Sequence, residues 1–174
     1  MLCQVALKEA SKPEFVDYIK QVKLNAAALA ASLQRRGYSI VTNGTDNHLL
    51  LWDLRPTGLS GAKIEKICEM CEISVNKNSV CGDTSAVSPG GVRLGTPAMT
   101  TRGMKEMDME KIAAFLHRIV GLSSRIQEEV SKGGQKGLLK DFLHVATTNQ
   151  LFADEIAVIR NEVELYAGSF PLPG

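Results

Sequence analysis

Gly90-Gly91-Val92-Arg93-Leu94-Gly95-Thr96-Pro97-Ala98-Met99-Thr100-Thr101-Arg102-Gly103 sets one arginine among glycines, on a short apolar run that ends in a proline turn. Gly91–Leu94 reads as a short strand, and Pro97 turns the chain out of it. Glycines let backbone approach closely, and a guanidinium presented there can hold a small carboxylate through two parallel hydrogen bonds. The competing reading of the same pattern is an ordinary strand arginine whose charged end snorkels to solvent.

Working outward, Ser11-Lys12-Pro13-Glu14 reads as a capping box with proline in the first turn. Phe15, Ile19, Val22, Ala26, Leu29 and Leu33 then trace a helical stripe that stops at Gly37, a natural C′ residue. Tyr38–Thr42 and Leu49–Leu54 read as strands, with a turn at Asn43-Gly44 after the first. Arg55-Pro56-Thr57-Gly58 breaks the second, a helix follows from Ser60, and Ile73-Ser74-Val75 is a further short strand. The order helix, strand, strand, helix, strand, strand predicts an α/β domain with a small sheet backed by helices on one face.

Beyond Gly103 the pattern turns helical. Met109, Ile112, Leu116, Ile119 and Leu122 form one stripe, and Phe152, Ile156, Ile159, Val163 and Tyr166 another. Between them, Ser131–Gly137 contains a Gly-Gly-x-x-Gly run with no strand before it, so it reads as a linker and not as a phosphate loop. Two segments result: 1–103, a small α/β domain carrying the arginine motif, and 104–174, trailing helices that pack on the same domain.

The 174 residues suffice for one real core. The net charge of +1 and the scattered basic residues give no footprint for nucleic acid or an anionic membrane. No apolar run approaches the roughly 20 residues needed to span a bilayer, and Met1-Leu2-Cys3-Gln4-Val5 lacks the pattern of a secretory signal. Of four cysteines, Cys68 and Cys71 have CxxC spacing, yet with Ile64 and Ile67 they trace one helical face and read as core hydrophobes. No metal site is expected, since the three histidines lie far off in sequence. Unpaired thiols suit a reducing compartment. His48, in Asp46-Asn47-His48, has no nucleophile near it and reads as a structural, hydrogen-bonded histidine; His117 falls on a helix and His144 near the later linker. Trp52 is expected in the interior, and no lysine stands where a depressed pKa or a Schiff base would be expected.

The run Gly90–Gly103 closely resembles the carboxylate-binding segment of serine hydroxymethyltransferase (glycine hydroxymethyltransferase), a pyridoxal-phosphate enzyme. Thr42–Leu54, Asn76-Lys77-Asn78-Ser79-Val80 and the ending Phe170-Pro171-Leu172-Pro173-Gly174 resemble further stretches of the same family, in the family's order. The likeness is dense from Val5 to Gly103 and looser beyond, and it covers only the C-terminal portion of family members, which run to well over twice this length. It implies the small domain of a fold-type-I pyridoxal-phosphate enzyme, with a mainly antiparallel sheet.

The resemblance assigns the substrate-carboxylate role to Arg93 and not to Arg102, for which a structural or surface role is expected. It places Asn78 near the folate, where an amide can offer a donor and an acceptor to a pterin edge; an asparagine bonding its own turn fits the same position. The segment Cys81–Ala86 borders the same region. The family's Schiff-base lysine, in a Thr-rich stretch closed by His-Lys, has no counterpart, so no catalytic residue is expected in this chain and no cofactor bound to it covalently. The intact family enzyme uses pyridoxal phosphate to interconvert serine and glycine, exchanging a one-carbon unit with tetrahydrofolate, and its subunits pair. The chain is expected to be the C-terminal domain of such a protein, with Met1 marking a truncation or an internal start. The alternative is a catalytically inactive form that acts as an interaction module, as a homo-oligomer or with full-length subunits. As written it predicts a cytoplasmic location; an organelle address would belong to a longer parent.

Overall fold

The helix stripe and the arginine strand both form, and they lie on opposite sides of one core. The structure, a computed structural model, describes residues 2–84, 88–133 and 137–172, with backbone alone for residues 2 and 3. Helix α1 (Leu2–Ala10) leads into α2 (Pro13–Arg35), whose Val22, Ala26, Leu29 and Leu33 are buried while Ile19 lies at the exposed end. The expected capping box does not form. Pro13 takes the first helical position, so the cap falls on Lys12, which makes no side-chain cap bond. Ser11 sits one residue too early, and its hydroxyl donates back to the Leu7 carbonyl at 2.8 Å. At the other end Gly37 adopts φ +86°, as a C′ glycine does.

Four strands make an antiparallel sheet in the order β1-β2-β4-β3: β1 (Ser39–Ile40), β2 (Leu49–Asp53), β3 (Asn76–Asn78) and β4 (Gly91–Gly95). The first strand is shorter than the Tyr38–Thr42 expected, because a 3₁₀ turn takes Val41–Asn43 and puts Thr42 and Asn43 at φ 63° and 58°. The third falls three residues later than expected. Glu72 adopts φ 59° and lets the Ile73 amide donate to the Cys68 carbonyl at 2.8 Å. That closes the preceding helix and leaves Ile73 and Val75 packed against the core from a loop; pairing with β4 begins at Asn76.

Helix α3 (Gly61–Met70) starts at Ser60, whose hydroxyl accepts from the Lys63 amide. Its Ile64, Ile67 and Cys68, with Cys71 just past its end, are fully buried, as the core reading of the CxxC requires. Burial pushes both thiols up, Cys71 to about 11. The cysteine near the start, Cys3, has a side chain outside the described residues. Past β4 come the short α4 (Pro97–Thr101), α5 (Glu106–Lys132), α6 (Leu139–Thr148) and α7 (Gln150–Gly168). Within the linker Ser131–Gly137, α5 runs on to Lys132, and residues 134–136 lie outside the described residues. Helix α6 has no counterpart in the sequence reading; it is short and buries only Phe142 and Ala146, too little for a clear stripe. His144, a few residues past the linker, sits exposed on this helix.

One buried cluster runs through the domain, joining Leu29 and Leu33 of α2, Leu50, Trp52, Val92 and Leu94 of the sheet, Ile64 and Ile67 of α3, and Leu116 and Ile119 of α5. Strand alternation puts the sheet's other residues on the opposite face, where Arg93 and Gly95 are exposed and Leu49, Leu51 and Asp53 half-buried.

Candidate functional site

That opposite face carries the arginine. Arg93 stands at the middle of β4, directly opposite Leu51 of β2 on one side and Asn76 of β3 on the other. Period-two alternation places Leu49, Leu51, Asp53, Gly91, Gly95, Asn76 and Asn78 on the same face. Arg93 is exposed, forms no ion pair among the described residues, and its Nη2 donates to Asn76 Oδ1 at a long 3.4 Å. It borders an open depression of about 400 Å³ together with His48, Leu49, Ser74, Val75, Asn76 and Gly95. A guanidinium in such a position has a full donor edge available to an anion.

The glycines beside it do something other than admit a ligand. A Cβ on Gly91 would lie 2.5 Å from Val80 Cγ1 and 2.9 Å from the Trp52 carbonyl oxygen. One on Gly90 would strike the Arg55 stem at 2.7 Å and Asp83 Oδ1 at 2.8 Å. The close approach that these two glycines permit is the protein's own. Only Gly95, where the nearest atom would be 3.7 Å away, is open enough to admit a ligand.

Beneath Gly90 lies a clamp the sequence reading missed. Arg55 donates from Nε and Nη2 to the two Asp53 oxygens at 2.9 and 2.7 Å, and from Nη1 to the Cys81 carbonyl at 2.9 Å. Asp83 Oδ2 accepts the amides of Gly90 at 2.8 Å and Val80 at 2.9 Å. The Arg55 hydrogen bonds hold the Asp53 carboxyl below its ordinary range, and the Gly90 and Val80 amides do the same for Asp83. Together they fasten both ends of the loop between β3 and β4. The available signal was Asp53-x-Arg55 at a proline turn, which puts a carboxylate and a guanidinium within reach of one another. In the segment Cys81–Ala86, residues 85 and 86 lie outside the described residues.

Asn78 is half-buried on the open face, and its Nδ2 donates to the Ser79 carbonyl at 2.8 Å. The His48 backbone carbonyl accepts from the Thr96 amide at 3.0 Å, but its ring is exposed and makes no hydrogen bond among the described residues. The histidine expected to be held by hydrogen bonds is held, among the described residues, through its backbone alone. His117 is the hydrogen-bonded one: its Nδ1 lies 2.7 Å from the Tyr38 hydroxyl, joining α5 to the start of β1. Arg102 ends α4 and donates to the carbonyls of Ala167, Phe170 and Pro171, a structural role at the C-terminus of α7. Trp52 is fully buried, 4.9 Å from the Tyr38 ring and edge-on to it.

One lysine departs from expectation. Burial lowers the Lys63 pKa, and its Nζ donates to Gln127 Oε1 and lies 5.4 Å from the centre of the Phe142 ring. It belongs to the α3–α5–α6 packing and not to the open face.

The family model for serine hydroxymethyltransferase matches residues 2–116. Serine hydroxymethyltransferase 5 of Arabidopsis thaliana is 52% identical over 170 residues, covering 98% of this chain and 34% of its own length. A serine hydroxymethyltransferase of Caenorhabditis briggsae is 46% identical, covering 98% and 32%, and the cytosolic enzyme of Oryctolagus cuniculus is 46% identical, covering 98% and 34%. The chain thus spans about a third of the length of the curated relatives it matches, a C-terminal part of them. Among the described residues, no helix is long and apolar enough to cross a membrane. With a small antiparallel sheet backed by helices, and with matches of this extent, the chain belongs to the serine hydroxymethyltransferase family.

Proposed function

We propose that this chain supplies the substrate-carboxylate arginine of a glycine hydroxymethyltransferase, with Arg93 gripping the carboxylate of serine or glycine. The observation that carries this reading is the Arg93 guanidinium on an open sheet face, with no carboxylate among the described residues paired to it. Two parallel charge-assisted hydrogen bonds fix a carboxylate in position and in plane, and thereby orient the bonds at the adjoining carbon. Asn78, two residues from Asn76 on the same face, is proposed to meet the pterin edge of tetrahydrofolate through the part of its amide that Ser79 does not use. Residues 1–103 and 104–174 are proposed to act as one unit in this role.

In the whole enzyme pyridoxal phosphate supplies the electron sink for the reaction at the amino acid. The described residues do not fit that cofactor. Lys77 is in register with Val92, out of phase with Arg93, and pairs with Glu65 at 3.8 Å, while Lys63 is committed to Gln127 and Phe142. We therefore infer that the chain alone is inactive and that the lysine comes from the portion of the family's chain outside it.

The test joins this chain to the remaining two thirds of a relative and replaces Arg93 by Lys or Ala. Loss of a charge-assisted contact of about 1.5–3 kcal/mol predicts serine and glycine affinity weaker by about 10- to 150-fold, with unfolding little changed because Arg93 is exposed. Lysine lacks the planar fork and does not rescue. Unchanged affinity in both variants would refute the assignment.

A second reading, an inactive interaction module, is favoured by one observation. Val5, Leu7, Val16 and Leu24 of α1 and α2 are each more than half exposed, a set of apolar side chains on two adjoining helices. Size-exclusion chromatography with light scattering, with and without a full-length relative, decides it. A monomer that ignores the relative removes this reading.

A further inference from the structure

We propose that Asn76 is the positioning residue that aims Arg93. The consequence drawn for binding rests on reading Arg93 as the carboxylate ligand; the geometry itself does not.

The side chain of Arg93 leaves the sheet between two cross-strand neighbours, Leu51 and Asn76. Leu51 offers an apolar flank and no acceptor. Asn76 offers Oδ1, and the Arg93 Nη2 reaches it at 3.4 Å. This is the side-chain hydrogen bond of Arg93 among the described residues, and it turns the guanidinium toward β3, on the side of the depression bordered by Ser74, Val75 and Asn76.

The chemistry of the partner matters. A carboxylate at this position would bind the guanidinium through a two-donor edge and compete with any incoming anion. A neutral amide oxygen takes one Nη2 hydrogen and leaves the other. Because Nη2 belongs to both two-donor edges of a guanidinium, spending one of its hydrogens removes one edge and keeps the other complete. Asn76 can thus set the direction of the remaining edge without neutralising the charge. At 3.4 Å the bond is weak, so it biases the guanidinium toward β3 and costs little to adjust when a ligand arrives.

The position of β3 makes this possible. Had the strand begun at Ile73, as its apolar residues suggest, Asn76 would not face Arg93. The left-handed Glu72 delays the strand, and the Asp83 and Arg55 clamp holds the loop at its far end, so Asn76 stays opposite Arg93.

The test follows the Arg93 Nε–H signal by side-chain NMR relaxation in the ¹⁵N-labelled chain, and measures glycine affinity in the chain joined to the remaining two thirds of a relative. In Asn76→Ala the Arg93 signal should show faster, wider motion, and glycine affinity should fall by about 2-fold, the low end for a hydrogen bond, because this bond is long. In Asn76→Asp the same signal should become more rigid than in the native chain, yet glycine affinity should fall further than in Asn76→Ala, because the introduced carboxylate occupies the donor edge. A purely structural role for Asn76 would not produce these opposite changes in mobility. The amide signals of Asn78 and Gly91, the paired positions further along, show whether β3 remains in register in each variant. Arg93 motion unchanged in Asn76→Ala, with that pairing intact, overturns the proposal. If Arg93→Ala leaves glycine binding unchanged, the carboxylate reading fails, and the Arg93 relaxation still decides whether Asn76 aims it.

Discussion

Replacing Gly61 by alanine should destabilise this protein, although it adds a methyl group to a helix, where alanine is ordinarily the better residue. A Cβ at Gly61 would lie 2.0 Å from the Gly91 carbonyl oxygen, 2.9 Å from its carbonyl carbon and 3.1 Å from the Pro89 carbonyl oxygen. All three are backbone atoms, so no side-chain rotamer relieves the overlap. The start of α3 must withdraw from β4 by more than 1 Å to reach ordinary contact at about 3.4 Å. That movement breaks the bond from the Gly61 amide to the Pro89 carbonyl, now 2.8 Å. Overpacking costs about 1–3 kcal/mol and the hydrogen bond about 1 kcal/mol, against a gain in helix propensity of at most about 1 kcal/mol. The net is a loss of about 1–4 kcal/mol, a fall in Tm of roughly 2–16 °C for a chain of this size.

The control is the same substitution at Gly121, an exposed position inside α5 where an added Cβ meets nothing within 4 Å. There only propensity acts, and alanine should stabilise by about 0.5–1 kcal/mol. Urea unfolding followed by circular dichroism measures both, with the slopes compared to confirm that the unfolded states match. The reasoning is refuted if Gly61→Ala unfolds at or above the native midpoint. It is refuted equally if the two alanines shift stability in the same direction.

The Asp83 carboxyl, held below its ordinary value of 3.8 by the Gly90 and Val80 amides, stabilises the fold above that value, and the contribution fades as pH falls through its lower folded-state pKa. Asp83→Ala should therefore shrink the fall in stability below about pH 4; an acid limb identical to the native one contradicts this. Among the three described cysteines, Cys81 is exposed while Cys68 and Cys71 are buried with raised pKa values. A thiol reagent at pH 8 should modify Cys81 first and the other two only on unfolding, as peptide mass mapping would show. Trp52, the single tryptophan, is fully buried, so its emission should shift to the red in one step with the circular dichroism transition. Separate midpoints would show that the sheet and the helices unfold independently.

Much of the site was legible because its parts are local. A C′ glycine after an apolar stripe marks the end of α2 whatever lies around it, and Gly91–Leu94 reads as a strand from its own residues. The misplaced third strand shows where local reading ends. Ile73, Ser74 and Val75 have the better strand composition, and Asn76-Lys77-Asn78 the worse, but a strand is defined by the partner it pairs with. The left-handed turn at Glu72 decides which three residues reach β4. Asn76 was missed for that reason. An Asn-x-Asn spacing puts both amides on one face only once the segment is known to be extended. The clamp of Asp53, Arg55 and Asp83 was hidden similarly, since its acceptors and donors are main-chain groups of a distant loop.

By itself the sequence determined the family, the class of fold, the strand that carries Arg93 and the inward face of α3, because residue identity and spacing carry those properties within short windows. The tertiary structure alone decided three further things. It showed that Gly90 and Gly91 make room for Arg55 and Val80 and not for a ligand, since close approach depends on what the rest of the chain brings there. It turned the His48 ring outward and gave the hydrogen-bonded role to His117, because each ring's partners come from other elements. And it set Asn76 across from Arg93, a juxtaposition of residues 17 positions apart that exists only through strand register.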